Sequence, residues 1–400
     1  MDKFQLIKIL RFFLHPSISS GDLLTSLSFN QSLYRWSWKR PLSYDASKHK
    51  FTYNSKKCWI WFCTEIVLNL VFTSGCCIFL LFQHLFSKDE ILPLFMTLSY
   101  IICMVYTGSG LFVTIGEIYS GSDICSGFSR MLQFESENLK VGPEPAARMD
   151  MVISLALQGA ALLHAVIPPS LPIGVIYLKI DPCYVMITRI LGSSQSTPVL
   201  CVIYVIRYFV TFCVATNICR NMSFIIHILS VVIDSCNKNV AALCKIPKSG
   251  GANLKLCVTK YTHFCLVLQG LSGPGDNFIF LLAGHALILE IILIFITIRF
   301  YDHLPFAIYQ LFPSVALNIA VLMKLLIPLT LKVREDVEEL LHGWKGALYT
   351  SKYLKRKAVC LKPVGWRMAC GDVVLFDMKT SFKSVYYKTI LDFVITGLLA

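Results

Sequence analysis

Six ionisable side chains sit inside otherwise apolar stretches of this 400-residue chain: Glu65, Arg207, Glu290, Lys324, Lys388 and Asp392. A charge at the centre of a hydrocarbon layer costs about 3 kcal/mol unless it is paired or hydrated, so each marks a packed polar contact or a space holding water or ligand. Arg207 and Glu290 fit two readings, polar contacts in a ligand cavity or a structural pair between helices. Lys324 lies near the end of its stretch and reads as a snorkelling lysine; Glu65 reads as a packing anchor. Asp392 shares a three- and four-residue spacing with Thr389, Thr396 and Gly397, which puts polar and small groups on one helical stripe. That stripe suits a helix lining water, and it equally suits close helix packing.

A second set of side chains could bind a small molecule. Tyr204, Phe295, Tyr301, Phe306, Tyr309 and Gln310 gather near the same ends of their apolar stretches, the mixture of aromatic surface and a few polar groups found in ligand pockets. Aromatic belts at a membrane interface have the same make-up. Catalytic signatures are missing: there is no HExxH, GxSxG or P-loop, and the nine histidines form no metal box. No CxxC pair supports zinc, and the sixteen cysteines fall mostly in apolar or cytosolic segments, where they read as small reduced packing residues. No metal, cofactor or enzyme activity is expected. His285 reads as a satisfied bundle histidine.

These residues need elements to hold them. Seven apolar stretches run roughly from Cys58 to Phe82, Ile91 to Ile115, Met149 to Pro168, Pro198 to Ile218, Phe278 to Ile298, Phe306 to Leu331 and Val385 to Leu399. With 55% hydrophobic and only 15% charged residues, the chain is too apolar for an ordinary soluble protein. About 20 apolar residues cross a bilayer as a helix, and the intramembrane backbone must be hydrogen-bonded internally, so the reading is an all-α polytopic membrane protein with a seven-helix bundle. The ten-residue alternating strands of a membrane barrel are absent.

The net charge of +13 does not point to nucleic acid, because the positive residues form no basic domain. They follow the loops instead. Twenty-nine Lys and Arg fall in the first 57 residues, in the second and fourth loops and over 332–380, against four (Lys88, Lys179, Arg189 and Arg299) in the alternate loops. The positive-inside rule then places the amino terminus in the cytosol and the carboxyl terminus outside, the reverse of a G-protein-coupled receptor. The sequons at Asn30 and Asn221 lie on the cytosolic face and are expected to carry no glycan.

The run from Phe4 to Leu14, interrupted by Lys8 and Arg11, reads as an interfacial amphipathic helix rather than a cleaved leader. The third stretch is expected to end at Pro168, Pro169 and Pro172, with a partly sunken loop to Tyr177. The fourth helix is expected to project from Val199 to about Leu243 and to break at Pro247 to Gly251. A separate helix from Leu254 to Leu271 is expected to stop at Gly273, Pro274 and Gly275. The resulting division is a cytosolic segment over 1–57, six spans over 58–331 with extended cytosolic helices around 219–275, a cytosolic helical linker over 332–380, and a seventh span over 381–400. No internal repeat supports a secondary transporter.

The segment from Gly371 to Ser384, with Phe376, Asp377, Met378 and Phe382, leads into the last span. With the basic amino-terminal segment, short outer loops, long fourth to sixth helices and charged helix before the seventh span, it resembles the arthropod gustatory and odorant receptor superfamily. At the positions of the family's closing Thr-Tyr, five apolar residues and Gln, this chain has Asp392, Phe393 and Leu399, keeping only the aromatic character. The resemblance implies a ligand-gated, non-selective cation channel in the plasma membrane of sensory neurons. It also implies a homo- or heterotetramer in the lipid bilayer, opened by a small-molecule tastant or odorant. On that plan Tyr387, Thr389, Asp392, Thr396 and Leu399 face the pore, and Tyr204, Arg207, Glu290, Phe295, Tyr309 and Gln310 bind ligand. Asp392 would either form an acidic ring or pair with Lys388. A G-protein-coupled receptor is disfavoured by the charge bias and by the lack of Asp-Arg-Tyr and Asn-Pro-x-x-Tyr motifs; a seven-span solute transporter is the other alternative.

Overall fold

A computed structural model describes residues 23–38, 40–45, 48, 50–54, 59–86, 93–138, 148–182, 184–185, 187, 197–245, 251–347 and 352–399. The helix read from Phe4 to Leu14, the outer-loop Cys183 and the break from Pro247 to Gly250 lie outside the described residues. The fold is helical throughout, apart from two short hairpins. Its elements are α1 (Leu23–Leu33), β1 (Leu42–Asp45), β2 (Lys50–Tyr53), α2 (Trp59–Val67), a π-helical segment (Leu68–Gly75) and α3 (Cys76–Phe86). There follow α4 (Leu94–Asn138), α5 (Arg148–Tyr177), α6 (Thr197–Lys245), α7 (Gly251–Arg299), α8 (Phe306–Tyr309) and α9 (Leu311–Ala347). The chain closes with α10 (Lys352–Cys360), β3 (Arg367–Cys370), β4 (Val373–Asp377) and α11 (Thr380–Leu399).

Among the described residues six helices are long and apolar enough to cross a membrane, and the molecule is a multi-pass membrane bundle. At 49 residues each, α6 and α7 are about 73 Å long, more than twice the roughly 30 Å hydrocarbon layer, so they continue well beyond it. The extra length packs with α1, both hairpins and the ends of α4 and α9 into a helical base. α11 is a 20-residue helix carrying Lys383, Lys388 and Asp392.

Two of the proline and glycine clusters that read as breaks in the sequence do not act as breaks. α5 runs through Pro168, Pro169 and Pro172 to Tyr177. Each proline removes one amide donor, but the flanking turns keep their bonds, and Ser170 Oγ donates to the carbonyls of Val166 and Ile167 at 3.0 and 3.1 Å. α7 is likewise continuous through Pro274, so the expected separate helices are one. Gly275 is bare because the indole of Trp366 lies where its side chain would be; a Cβ there would stand 2.5 Å from the ring. α9 similarly joins the sixth span to the charged segment after it. The first span does depart from regular helix: in the π-helical turn the Leu70 carbonyl comes within 3.0 Å of a Cβ built on Gly75, a contact glycine alone accepts.

The β3–β4 hairpin is held to α7 and α9 by polar contacts. Asp276 accepts from the Arg367 backbone amide at 2.9 Å and from Arg367 Nε at 3.2 Å. Asn277 Oδ1 accepts from the amide of Gly371, which takes the positive φ of 61° that the tight turn needs. Tyr261 donates to the Lys362 carbonyl at 2.8 Å, and Arg334 of α9 bridges to Asp377 at 3.4 Å. Thr380, at the start of α11, donates to Glu335 of α9 at 2.7 Å. The segment leading into α11 is therefore fastened at both of its ends.

Gly275→Ala is expected to overpack Trp366 and lower stability by about 1–3 kcal/mol. Gly273→Ala, whose Cβ would meet open space, is expected to be neutral or slightly stabilising. Thermal unfolding of the two detergent-solubilised variants checks the contrast, and equal melting temperatures would remove the role given to the notch.

Candidate functional site

Two buried arginines organise the base. Arg220 of α6 donates to Ser37 Oγ at 2.9 Å and to the Trp38 carbonyl at 2.7 Å, and pairs with Glu65 of α2 at 3.5 Å. Arg40 pairs with Glu117 of α4, reaches the Arg220 carbonyl at 3.3 Å and lies 4.3 Å from the Phe224 ring centre. Trp38 Nε1 closes the cluster onto Glu65. Burial and then the charge on Arg220 push the Arg40 guanidinium down from its ordinary value, with Glu65 opposing them; burial pushes the nearby Tyr34 hydroxyl well up, so it stays neutral. Asn30 of α1 accepts from Ser223 at 2.9 Å, so the two sequons meet inside the protein. Both asparagines are 1% exposed, a reason against glycosylation independent of orientation.

A partly open cavity lies between α4, α5, α6, α7 and α9. The centre of a water-sized sphere can move through about 50 Å³ of it. Its wall is largely aliphatic, with Leu163, Ile226, Ile319 and Leu322 among the lining residues. Four polar side chains interrupt it: Tyr106, His164, His285 and Asn318. His164 Nδ1 donates to the Ala160 carbonyl at 2.7 Å, and His285 Nδ1 shares a 2.7 Å hydrogen bond with Ser109 Oγ. The rings of Tyr106 and His285 meet edge to face at 4.9 Å. Helical position was the one sequence signal for these residues: each is a polar side chain inside an apolar run, and only the packing of five helices brings them to one wall.

The sequence-predicted ligand residues lie elsewhere, and none lines this cavity. Arg207 pairs with Asp181, beyond the end of α5, through Nε at 3.1 and 3.3 Å and through Nη2. Both side chains are almost fully buried, and the guanidinium lies against Tyr184 at 4.6 Å and Tyr204 at 5.2 Å. Arg207 and Tyr204 thus form a clamp between the end of α5 and α6. Glu290 Oε2 of α7 accepts from Tyr386 of α11 at 3.2 Å, and the Phe295 ring of α7 packs close against Gly397 of α11, 3.3 Å from where a Cβ would stand. Tyr309 donates to the Thr297 carbonyl at 3.3 Å, while Gln310 is exposed at the start of α9.

α11 buries one stripe, Tyr386, Ile390 and Val394, against the rest of the chain. Asp392, Thr396 and Leu399 are exposed on the other side of the helix, with Thr389 half-buried at the edge. Thr389 and Thr396 donate back to the carbonyls of Val385 and Asp392, both at 2.8 Å or less. Tyr387 stands apart, half-buried with its ring 5.4 Å from that of Tyr386. No Lys388–Asp392 bridge occurs among the described residues. The five sequence-predicted pore residues therefore divide, four on or beside the open face and Tyr387 in the packing.

Six long apolar helices among the described residues, a cavity between five helices, and a last helix packed along one stripe define an all-helical multi-pass membrane fold. Among solved structures this fold is shared with the insect olfactory receptor OR5 from Machilis hrabei. Its TM-score is 0.52 at 13% identity, over 93% of this chain and 96% of that one. The same receptor in complex with eugenol gives a TM-score of 0.53 at 13% identity, covering 94% and 97%. No protein-family profile and no curated protein sequence matches the chain.

Asp181→Asn is expected to strand the Arg207 guanidinium in the interior and cost about 3–5 kcal/mol, while Asp181→Asn combined with Arg207→Leu recovers much of the loss. Melting temperatures of the purified proteins check this. A double variant no more stable than the single one would show that the pair is not the relevant unit.

Proposed function

We propose that this chain is a chemosensory receptor subunit of the arthropod gustatory and odorant receptor superfamily, of the gustatory type, acting as a ligand-gated non-selective cation channel. The observation carrying this reading is the position of α7. One part of α7, at Leu282, His285 and Ala286, walls the cavity; further along, Glu290 and Phe295 hold α11. A small molecule in the cavity therefore touches the helix that positions the last span.

A ligand shifts a closed-to-open equilibrium only by its differential affinity for the two states. The cavity gives such a difference if channel opening changes its volume. α11 then lines the pore in a homo- or heterotetramer, with the exposed face bearing Asp392, Thr396 and Leu399 turned to the axis. Four Asp392 carboxylates would favour cations. The amino terminus lies in the cytosol and the carboxyl terminus outside the plasma membrane of a sensory neuron, as the distribution of Lys and Arg supports. The resemblance to an olfactory receptor fold supports a volatile or tasted small molecule as ligand.

Current or calcium recordings against a panel of tastants and odorants test the channel. Ala286→Phe should abolish ligand-evoked current at unchanged surface level, because the ring fills the cavity. Asp392→Ala should reduce the preference for cations. Persistent ligand responses in the first variant would remove the cavity from the mechanism, and unchanged selectivity in the second would remove Asp392 from the pore. Epitope tags supply the orientation: an amino-terminal tag should be reached only after permeabilisation and a carboxyl-terminal tag in intact cells.

A further inference from the structure

The cavity wall carries more hydrogen-bonding capacity than the protein itself uses. His164 spends Nδ1 on the Ala160 carbonyl, so the neutral ring has a lone pair at Nε2, and no described residue donates to it. The Asn318 side-chain amide and the Tyr106 hydroxyl make no hydrogen bond to any described residue. All three are on the cavity wall, on three different helices, α5, α9 and α4. Their remaining surroundings are aliphatic, and the lining contains no carboxylate, lysine or arginine.

An unpaired polar group in an apolar enclosure costs about 1–3 kcal/mol. Three of them around one space are therefore matched by whatever fills it. An ion is a poor match, since no opposite charge lines the wall. A hydrocarbon or simple ether is also a poor match, because neither can donate to the His164 lone pair. An alcohol or phenol can donate to His164 Nε2 and accept from Asn318 or Tyr106, with its apolar body against Ile226, Ile319 and Leu322.

Resting on the reading of this cavity as the ligand site, we infer that the receptor selects small neutral molecules bearing a free hydroxyl on an apolar body, through His164, Asn318 and Tyr106. The selection is against the same skeleton with the hydroxyl capped. One matched hydrogen bond corresponds to a preference of up to about tenfold.

The test compares 4-ethylphenol with 4-ethylanisole by thermal stabilisation of the purified, detergent-solubilised full chain, and separately by evoked current. In wild type the phenol should stabilise at about tenfold lower concentration than the ether. His164→Phe should remove that discrimination while keeping ether binding. His164→Leu, which likewise removes the Nε2 lone pair, is expected to act as His164→Phe does and serves as the second variant if His164→Phe does not fold. Equal stabilisation by the two compounds, no stabilisation by either because water alone occupies the cavity, or undiminished discrimination in both variants would each overturn the inference. Discrimination in binding without any evoked current would leave the hydroxyl selectivity standing and remove the channel reading instead.

Discussion

Two guanidinium groups buried beside one another are the constraint on which the base of this protein depends. Arg40 and Arg220 would repel and remain unsolvated unless compensation were supplied, and the structure supplies it from three separate segments. Glu117 comes from α4, Glu65 from α2, the Trp38 carbonyl and Ser37 hydroxyl from the strand of chain before β1. None of those segments can move without stranding a charge. The cluster therefore locks the amino-terminal segment, the first span and the long helices α4 and α6 into one register. Its energy gain is modest, since desolvation offsets most of the attraction, but an arrangement lacking any one partner is strongly disfavoured.

With that register set, the bundle joins its elements by buried polar contacts. The Asp181–Arg207 clamp, the Asp276–Arg367 fastening and the Glu290–Tyr386 contact each pair donor with acceptor across two elements. The cavity is different, because His164 Nε2, the Asn318 amide and the Tyr106 hydroxyl make no hydrogen bond to any described residue. α7 connects the two kinds of place, walling the cavity with one part and holding the last helix with another. α11 itself is fixed along a single narrow stripe and at its start by Thr380, an attachment suited to a helix whose position depends on its neighbours.

Some of this was legible along the chain. Each apolar run corresponds to a helix because the backbone in a membrane has no other partner than itself, and three of the six intramembrane charges, Glu65, Arg207 and Glu290, mark packed contacts while Lys324, Lys388 and Asp392 are exposed. Arg207 and Glu290 were visible as residues needing partners; the partners themselves, Asp181 and Tyr386, were not, since they lie 26 and 96 positions away. Gly273, Pro274 and Gly275 read as a break by local rules, yet the helix continues and the glycine at 275 is a seat for Trp366, a residue 91 positions further on. Local conformational preference says that such a segment can bend. Only a neighbouring ring says why it has no side chain.

By itself, then, the amino-acid sequence determined the class of the fold, the approximate spans and which residues were too polar for their surroundings, because hydrophobic length and charge are local properties. It also determined the asymmetry of positive charge between alternate loops. The tertiary structure alone decided which of those polar residues became ion pairs and which were left facing a cavity. His164 and His285 look alike in an apolar run, and so do Asn318 and Asn221; Asn221 donates to Thr114 at 2.7 Å and Asn318 lines the cavity. That difference arises from how five helices cross, a sum of many weak packing contacts that no short stretch of sequence contains.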